Sequence, residues 1–145
     1  MGFSVSGSAA LIFVAAFIGF GMFYTATANT FEQVNDAREA QADGTLEQQN
    51  TDINIRDVTY NTNPASGDYV NVTIDNTGST ELSVADVDVL IDNVYQTGYR
   101  SAVEDDTTTD LWLPQETLEL NVTVDGTPSR LKVVTGPGIS VTEVI

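Results

Sequence analysis

The chain has 145 residues, of which 21 are acidic and 5 are basic, and its formal net charge is -16. It has no Cys and no His, which excludes disulfides, thiolate or imidazole metal sites, and the catalytic triads and dyads that use those residues. The few basic residues are scattered, so they form no patch that could neutralise phosphates, and nucleic acid is not expected as a partner.

This acidity is typical of a halophilic protein, which stays soluble in very high salt because screening suppresses the repulsion between its carboxylates. A disordered acidic chain is the alternative interpretation. Regular alternation of apolar and polar residues beyond residue 50 argues against disorder.

The first element is an uncharged, mostly apolar segment. The first charged side chain belongs to Glu32, and residues 5–24 carry no charge. At about 1.5 Å per residue, a helix of this length spans about 30 Å, the thickness of the hydrocarbon core of a bilayer. The sequence therefore predicts a transmembrane anchor over residues 1–29 that contacts membrane lipid through residues 5–24.

A cleaved secretory signal is the alternative to a retained anchor. Residues 26–28, Ala-Thr-Ala, resemble a cleavage site, but no basic residue precedes the apolar stretch as a signal peptide requires. We therefore expect the anchor to be retained.

Residues 30–50 are rich in Glu, Gln and Ala and contain no Pro, which predicts a helical stalk. Asp43 and Gly44 predict a break or frayed turn within it. Phe31 and Val34 begin an apolar stripe that polar residues do not continue, so a sustained coiled coil is not predicted.

From residue 51 the apolar period becomes two, as in antiparallel strands with one buried face. A phase change near Arg56 and Asp57 predicts a β-bulge in the first strand. Seven or eight short strands in residues 51–145 predict an all-β immunoglobulin-like sandwich after one long transmembrane helix. Turn-forming residues separate the strands at 63–68, 76–79, 91–94, 104–110 and 125–129.

Two N-x-T sequons lie on the predicted strands, and Asn71 and Asn121 fall on their polar faces. They are candidate N-glycosylation sites. A β-rich domain with sequons that follows a single span indicates an exported domain. We therefore expect a single-pass membrane protein with a cytoplasmic N-terminus and an extracytoplasmic C-terminal domain.

Acidic clusters could in principle supply oxygen ligands for Ca²⁺, but neither candidate matches a complete calcium loop. No metal or other cofactor is therefore expected. Paired carboxylates have no neighbour that marks a catalytic pair, so the chain is not expected to be an enzyme. The two candidate clusters are Asp86, Asp88 and Asp92, and residues 104–106 with Asp110.

Leu111, Trp112 and Leu113 form an apolar cluster that ends at Pro114. The single Trp is either a core residue or a partly exposed anchor for a binding partner. The core interpretation is favoured, and Trp112 is kept as a candidate partner-binding residue.

An exposed strand edge is a second way to bind a partner, because its backbone groups can pair with a strand of another protein. The candidates are the first strand, residues 52–61, and the last, residues 139–144. The first carries Arg56 and Asp57, whereas one face of the last is uncharged. That face consists of Ser140, Thr142 and Val144.

Five blocks together resemble the haloarchaeal FlaF-type accessory protein of the archaellum, the rotating motility filament of archaea. The family has Gly where this chain has Gln115, which argues against a tight turn with positive φ at that position. The resemblance covers nearly the whole chain. The blocks are "MGFSVSGSAALIF", "ANTFEQVNDAREAQ", "NTDINI", "NTGSTELSV" and "TDLWLPQETLEL".

The resemblance implies a stator component, in which a membrane-anchored helix carries a β-sandwich outside the cell. In this family the sandwich binds the surface-layer protein and so holds the motor in place. A second accessory subunit of similar design is the other implied partner. The domain would then lie between the cell membrane and the surface layer.

Two other functions stay open. An archaellin-like or pilin-like filament subunit also joins an apolar helix to a β-rich body, but its precursor has a short basic leader before a peptidase site, and none precedes Phe3. A membrane-anchored extracellular binding or adhesion domain is the third. A homo-oligomer is compatible with each of them.

Overall fold

The computed structural model describes residues 3–63 and 67–145. The turn predicted at 63–68 therefore lies partly outside the described residues. The chain forms two compact units, Met1–Asp43 and Gly44–Ile145.

Helix α1 runs without interruption over Phe3–Asn50, so the predicted anchor and stalk are parts of one helix. Within the described residues, α1 is the one helix long and apolar enough to cross a membrane. The predicted break at Asp43 and Gly44 is wrong. A single Gly costs a helix only about 1 kcal/mol relative to Ala, and good helix formers flank this one.

In residues 3–63 and 67–145, ten strands follow α1, more than the seven or eight predicted, because three of them are two or three residues long. A short 3₁₀ helix, Val84–Asp86, precedes the fourth strand. The strands are β1 (Ile53–Asn61), β2 (Asp68–Asn76), β3 (Leu82–Ser83), β4 (Asp88–Ile91), β5 (Val94–Gln96), β6 (Arg100–Val103), β7 (Leu111–Trp112), β8 (Thr117–Val124), β9 (Arg130–Val134) and β10 (Ser140–Val144).

The strands form two four-stranded antiparallel sheets and a small ribbon. The first sheet has the order β1-β2-β8-β6, the second β10-β9-β4-β5, and β3 pairs with β7. Apolar side chains from both sheets share one core, which confirms the predicted sandwich. The fully buried members of that core include Val70, Ile74 and Leu118 from the first sheet and Val89 and Leu131 from the second.

The predicted bulge in β1 is confirmed. The register between β1 and β2 shifts between Ile55 and Asp57, which leaves Arg56 as the extra residue. The Arg56 guanidinium pairs with the Asp75 carboxylate, with a shortest nitrogen-to-oxygen distance of 2.7 Å. The bulge therefore changes the phase of β1 and places a charged residue on the exposed side of this strand.

Candidate functional site

The edge strand β10 has backbone groups that face away from its sheet. Among the strands that the structure describes, it pairs with β9 alone. The Thr135 N–H donates to the Ile139 carbonyl (2.9 Å), and the Ile145 N–H donates to the Ser129 carbonyl (3.1 Å). In an antiparallel ladder such residues alternate, so the odd-numbered residues of this strand bond to β9. The N–H and C=O groups of the even-numbered residues face outward, and those residues are Ser140, Thr142 and Val144.

The side chains of these same three residues are exposed, and Val144 is 76% exposed. They form an uncharged face, as the sequence predicts. Thr142 lies opposite Lys132 and Val144 opposite Arg130, so two of the five basic residues of the chain border this face. In a strongly acidic molecule, this is a surface with reduced electrostatic repulsion.

The other candidate edge, β1, contacts β10, so the two edge strands lie on the same side of the sandwich. The outer surface of β1 is polar and carries the ion pair of Arg56 with Asp75. The first edge therefore carries an ion pair, whereas the charged residue of β10, the exposed Glu143, lies on the face opposite Ser140, Thr142 and Val144.

Trp112 is fully buried, which favours the core interpretation over the partner anchor. Its indole Nε1 donates a hydrogen bond to the Glu116 carbonyl at 2.9 Å. The flanking Leu111 and Leu113 are exposed at 47% and 37%. Any partner contact at this cluster would therefore involve these leucines rather than the indole.

The turn after Trp112 corrects an expectation from the sequence. Gln115 has a φ of 72°, so the tight turn is present although Gly is absent. The Glu116 N–H donates to the Leu113 carbonyl at 3.1 Å. With Pro114 in the second position and positive φ in the third, this is the pattern of a type II turn.

Asn76 is a structural residue that sequence reasoning missed. Its side chain is fully buried, and its amide donates to the carbonyls of Thr80 (2.9 Å) and Trp112 (3.3 Å). Its Oδ1 accepts from the Gly78 N–H at 3.1 Å. The sequence contains a signal that Asn76 is buried, because Asn76 continues the inward-facing alternation of Val70, Val72 and Ile74.

The turn that Asn76 supports also holds the end of α1. The Ser79 N–H donates to the Asn50 carbonyl at 2.7 Å, and the Gly78 N–H donates to the Asp52 carbonyl at 2.9 Å. The Gln48 amide donates to the Pro137 carbonyl at 2.9 Å. These bonds satisfy a terminal helix carbonyl and attach the last helical turn to the β-sandwich.

The carboxylates proposed as cation ligands make local hydrogen bonds. The Asp110 carboxylate accepts from the Ala85 N–H at 2.7 Å. The Asp92 carboxylate accepts from the hydroxyl and N–H of Ser129 and from the N–H of Arg130, and these bonds lower its pKa. Hydrogen bonds from Thr108 likewise lower the pKa of Asp106. These hydrogen bonds stabilise the loops in which the carboxylates lie, so the carboxylates have a structural role.

A groove of about 970 Å³ on the β-sandwich unit is open and acidic. Over residues 3–63 and 67–145, no group of three or more His, Cys, Asp or Glu side chains is arranged to hold a metal ion. The carboxylates along the groove belong to Glu47, Glu81, Asp86, Asp88 and Asp110.

The two sequon asparagines lie opposite each other on the outer face of the first sheet, where Asn71 pairs in register with Asn121. The Asn121 amide donates to the Asn71 side-chain oxygen at 2.6 Å. The sequence placed each on a polar face but gave no reason to expect them to touch.

A family model described as archaeal-type flagellin matches residues 2–144. The chain belongs to the archaeal-type flagellin family. The FlaF-type resemblance is consistent with this family, and the protein is therefore an archaellum-related component. In the described part of the chain α1 is the one helix that could span a membrane, which indicates a single-pass membrane anchor.

A comparison with curated proteins finds no match. Among solved structures, a Bacillus subtilis protein described as a lipoprotein, YcdA, is similar at 19% identity, with a TM-score of 0.36. The match covers 66% of this chain and 36% of that protein, so the chain spans about a third of its length. This likeness carries no argument about function.

Proposed function

We propose that this chain is a membrane-anchored stator component of the archaellum. The N-terminus lies in the cytoplasm, and the β-sandwich lies between the membrane and the surface layer. There the sandwich binds the surface-layer protein and so holds the motor in place. In this proposal the chain catalyses no reaction and needs no cofactor, and a second accessory subunit of similar design works beside it.

The observation that carries the proposal is the outward edge of β10. A stator must resist torque, so its contact needs directional bonds. At molar salt, where the Debye length is about 3 Å, long-range attraction contributes little and short-range bonds must dominate. The outward backbone groups of Ser140, Thr142 and Val144 offer such bonds to an added strand, and their face has no charge to desolvate.

The attachment of the last helical turn supports the same function. The bonds from Ser79 to Asn50 and from Gln48 to Pro137 join the helix end to the β-sandwich. A force on the sandwich is therefore passed directly to the final turn of α1.

The test is a pull-down from high-salt envelope extracts with the full chain and its Thr142→Pro variant. Proline removes the outward N–H and leaves the ladder to β9 intact, so we expect lost binding of surface-layer protein with an unchanged fold. Thr142→Val keeps the outward N–H and serves as the matched control, which should bind as the wild type does. Binding by the folded Pro variant would exclude the β10 edge.

A filament subunit is the second candidate, and the description of the matched family, archaeal-type flagellin, is compatible with it. In that case the chain would be found along purified filaments. A stator component would instead remain in the membrane fraction after the filaments are sheared off. Quantitative mass spectrometry of the two fractions separates these functions.

A further inference from the structure

The side chains of Asn71 and Asn121 lie next to each other on the outer face of the first sheet. Their strands, β2 and β8, are the two central strands of that sheet. The residues are directly paired, and 2.6 Å separates the Asn121 amide nitrogen from the Asn71 side-chain oxygen. Val72 and Val122, the middle residues of the sequons, are buried on the opposite face. Both asparagines therefore point toward solvent from almost the same place.

The two amides differ in their surroundings. Asn71 is exposed, and its Nδ2 donates no hydrogen bond in the described part of the chain. Asn121 is half-buried between Asn71 and its other register neighbour, Arg100, and its Nδ2 donates to Asn71. An N-linked sugar attaches to the Nδ2 atom of asparagine. Of the two Nδ2 atoms, that of Asn71 is exposed and donates no hydrogen bond in the described part of the chain, so it is the one available for attachment.

We propose that the two sequons form one modification site, which carries a single N-linked glycan at Asn71. The donor is a lipid-linked glycosyl phosphate. The Nδ2 of Asn71 forms a bond to the anomeric carbon of the sugar as the bond from that carbon to the phosphate oxygen breaks. The lipid phosphate leaves, and Nδ2 loses one proton. The proposal rests on the extracytoplasmic placement that the proposed function assigns to the domain.

Two glycans cannot occupy this position in the folded sheet. The Cβ atoms of directly opposed residues lie about 4.5–5.5 Å apart, so two first sugars attached to neighbouring amide groups would overlap. A glycan at Asn71 leaves its Oδ1 free to accept from Asn121. A glycan at Asn121 would instead crowd the nitrogen that makes this bond.

An open groove of about 450 Å³ surrounds the pair, and its polar side chains would contact the first sugar of the glycan. Its volume falls within the range of small-molecule sites. Its hydroxyl, carboxylate and guanidinium groups suit the hydroxyls of a saccharide, and they come from Asp57, Thr59, Thr73, Arg100, Thr107 and Glu119.

The test expresses the full chain, with its helix, in an archaeal host that N-glycosylates exported proteins. Intact-mass and glycopeptide mass spectrometry are applied to the wild type and to the Asn71→Gln, Asn121→Gln and Thr73→Val variants. We expect one glycan per wild-type molecule, at Asn71, and its retention in Asn121→Gln. It should be lost in Asn71→Gln and also in Thr73→Val, which breaks the sequon but keeps both asparagines.

Doubly modified molecules, a glycan at Asn121 in any variant that contains Asn121, or an unmodified wild type would overturn the proposal. A control separates its failure from that of the proposed placement. Asp105→Asn creates an N-x-T sequon with Thr107 in an exposed turn, at a positive φ that Asn tolerates. If this variant gains a glycan and the wild type has none, the pair is not a site. If neither is modified, the extracytoplasmic placement fails as well.

Discussion

At the scale of single residues, Gln115 shows how a backbone can keep a conformation that its side chain disfavours. Its φ of 72° is in the left-handed region, which costs a non-glycine residue roughly 1–2 kcal/mol. The Gln115 N–H donates to the Asn76 carbonyl, and the neighbouring Trp112 is fully buried, so the surrounding contacts impose the turn. The sequence could not predict this outcome, because the hydrogen bond from Gln115 to Asn76 joins two segments that are far apart in the sequence.

Gln115→Gly is expected to stabilise the protein. Glycine removes the strain but adds freedom to the unfolded chain, so the net gain should be about 0.5–1 kcal/mol. Urea unfolding of the full chain in non-ionic detergent, followed by Trp112 fluorescence, measures this gain in the free energy of unfolding. Gln115→Ala keeps a Cβ and should show no gain. An equal gain in both variants would mean that backbone strain is not the cause.

Asp92 connects stability to pH through its hydrogen bonds to Ser129 and Arg130. The side-chain bond from Ser129 is the main cause of its lowered pKa. Because the pKa of Asp92 is lower in the folded protein than in the unfolded chain, the stability that its charged carboxylate contributes is fully present above the unfolded pKa. It is lost as the pH falls through the folded pKa.

Asp92→Asn should therefore lower the unfolding midpoint at pH 7 and have little effect once the pH is below the folded pKa of Asp92. Thermal unfolding of the wild type and the variant across pH 2–7 gives the comparison, with about 3.9 as the ordinary Asp value. Glu143→Gln is the control, because no hydrogen bond to the Glu143 side chain is present in the described residues, and its midpoint at pH 7 should stay close to that of the wild type. A difference that does not change with pH would refute the role of the carboxylate charge.

At the scale of elements, the alternation of apolar and polar residues predicts the long strands but does not predict the short ones. The central strands β2 and β8 have clear apolar faces, and their burial follows the alternation. Strands of two or three residues, such as β3, β5 and β7, are too short to show a period. The uncharged face of β10 follows from the sequence alone. The outward direction of its backbone groups does not, because it depends on which residues bond to β9.

Two glycines near the end of α1 should respond in opposite ways to the same change. Gly44 lies within the helix and has open space around it, so Gly44→Ala should stabilise by about 0.5–1 kcal/mol. A Cβ on Gly78 would lie 2.5 Å from the Asn50 carbonyl oxygen and 2.6 Å from the Asp52 nitrogen. Both of these are backbone atoms, so Gly78→Ala should destabilise by about 1–3 kcal/mol.

Thermal unfolding of both variants, followed by circular dichroism, checks this pair. Each variant is the control for the other, because the substitution is chemically identical. If Gly78→Ala unfolds at the wild-type temperature, the turn at 76–80 does not hold the helix end closely.

At the scale of the whole molecule, composition and length predict an acidic exported domain behind a membrane anchor. The family match adds the connection to the archaellum. The identity of the partner is not encoded in any pattern of this chain alone, because an edge strand such as β10 offers backbone groups that any extended segment could pair with. Residue-level contacts, such as the one between Asn71 and Asn121, likewise become visible only when distant strands are brought into register.

The net charge of -16 predicts that stability depends on salt. The Debye length grows from about 3 Å at 1 M to about 30 Å at 0.01 M, so the carboxylates repel over ever longer distances as salt is removed. The unfolding midpoint of the full chain in non-ionic detergent should therefore fall steadily across this range. Salt also strengthens burial of apolar surface, so the wild-type curve alone does not isolate the charge effect.

A triple variant separates the two effects. Glu81→Gln, Asp125→Ser and Glu143→Gln remove three exposed carboxylates from the 21 acidic side chains and leave the core unchanged. If repulsion dominates, the variant should be more stable than the wild type at 0.01 M salt, and the two midpoints should converge at 1 M. Parallel curves would instead assign the salt dependence to burial of apolar surface, and the acidity would then serve solubility rather than stability.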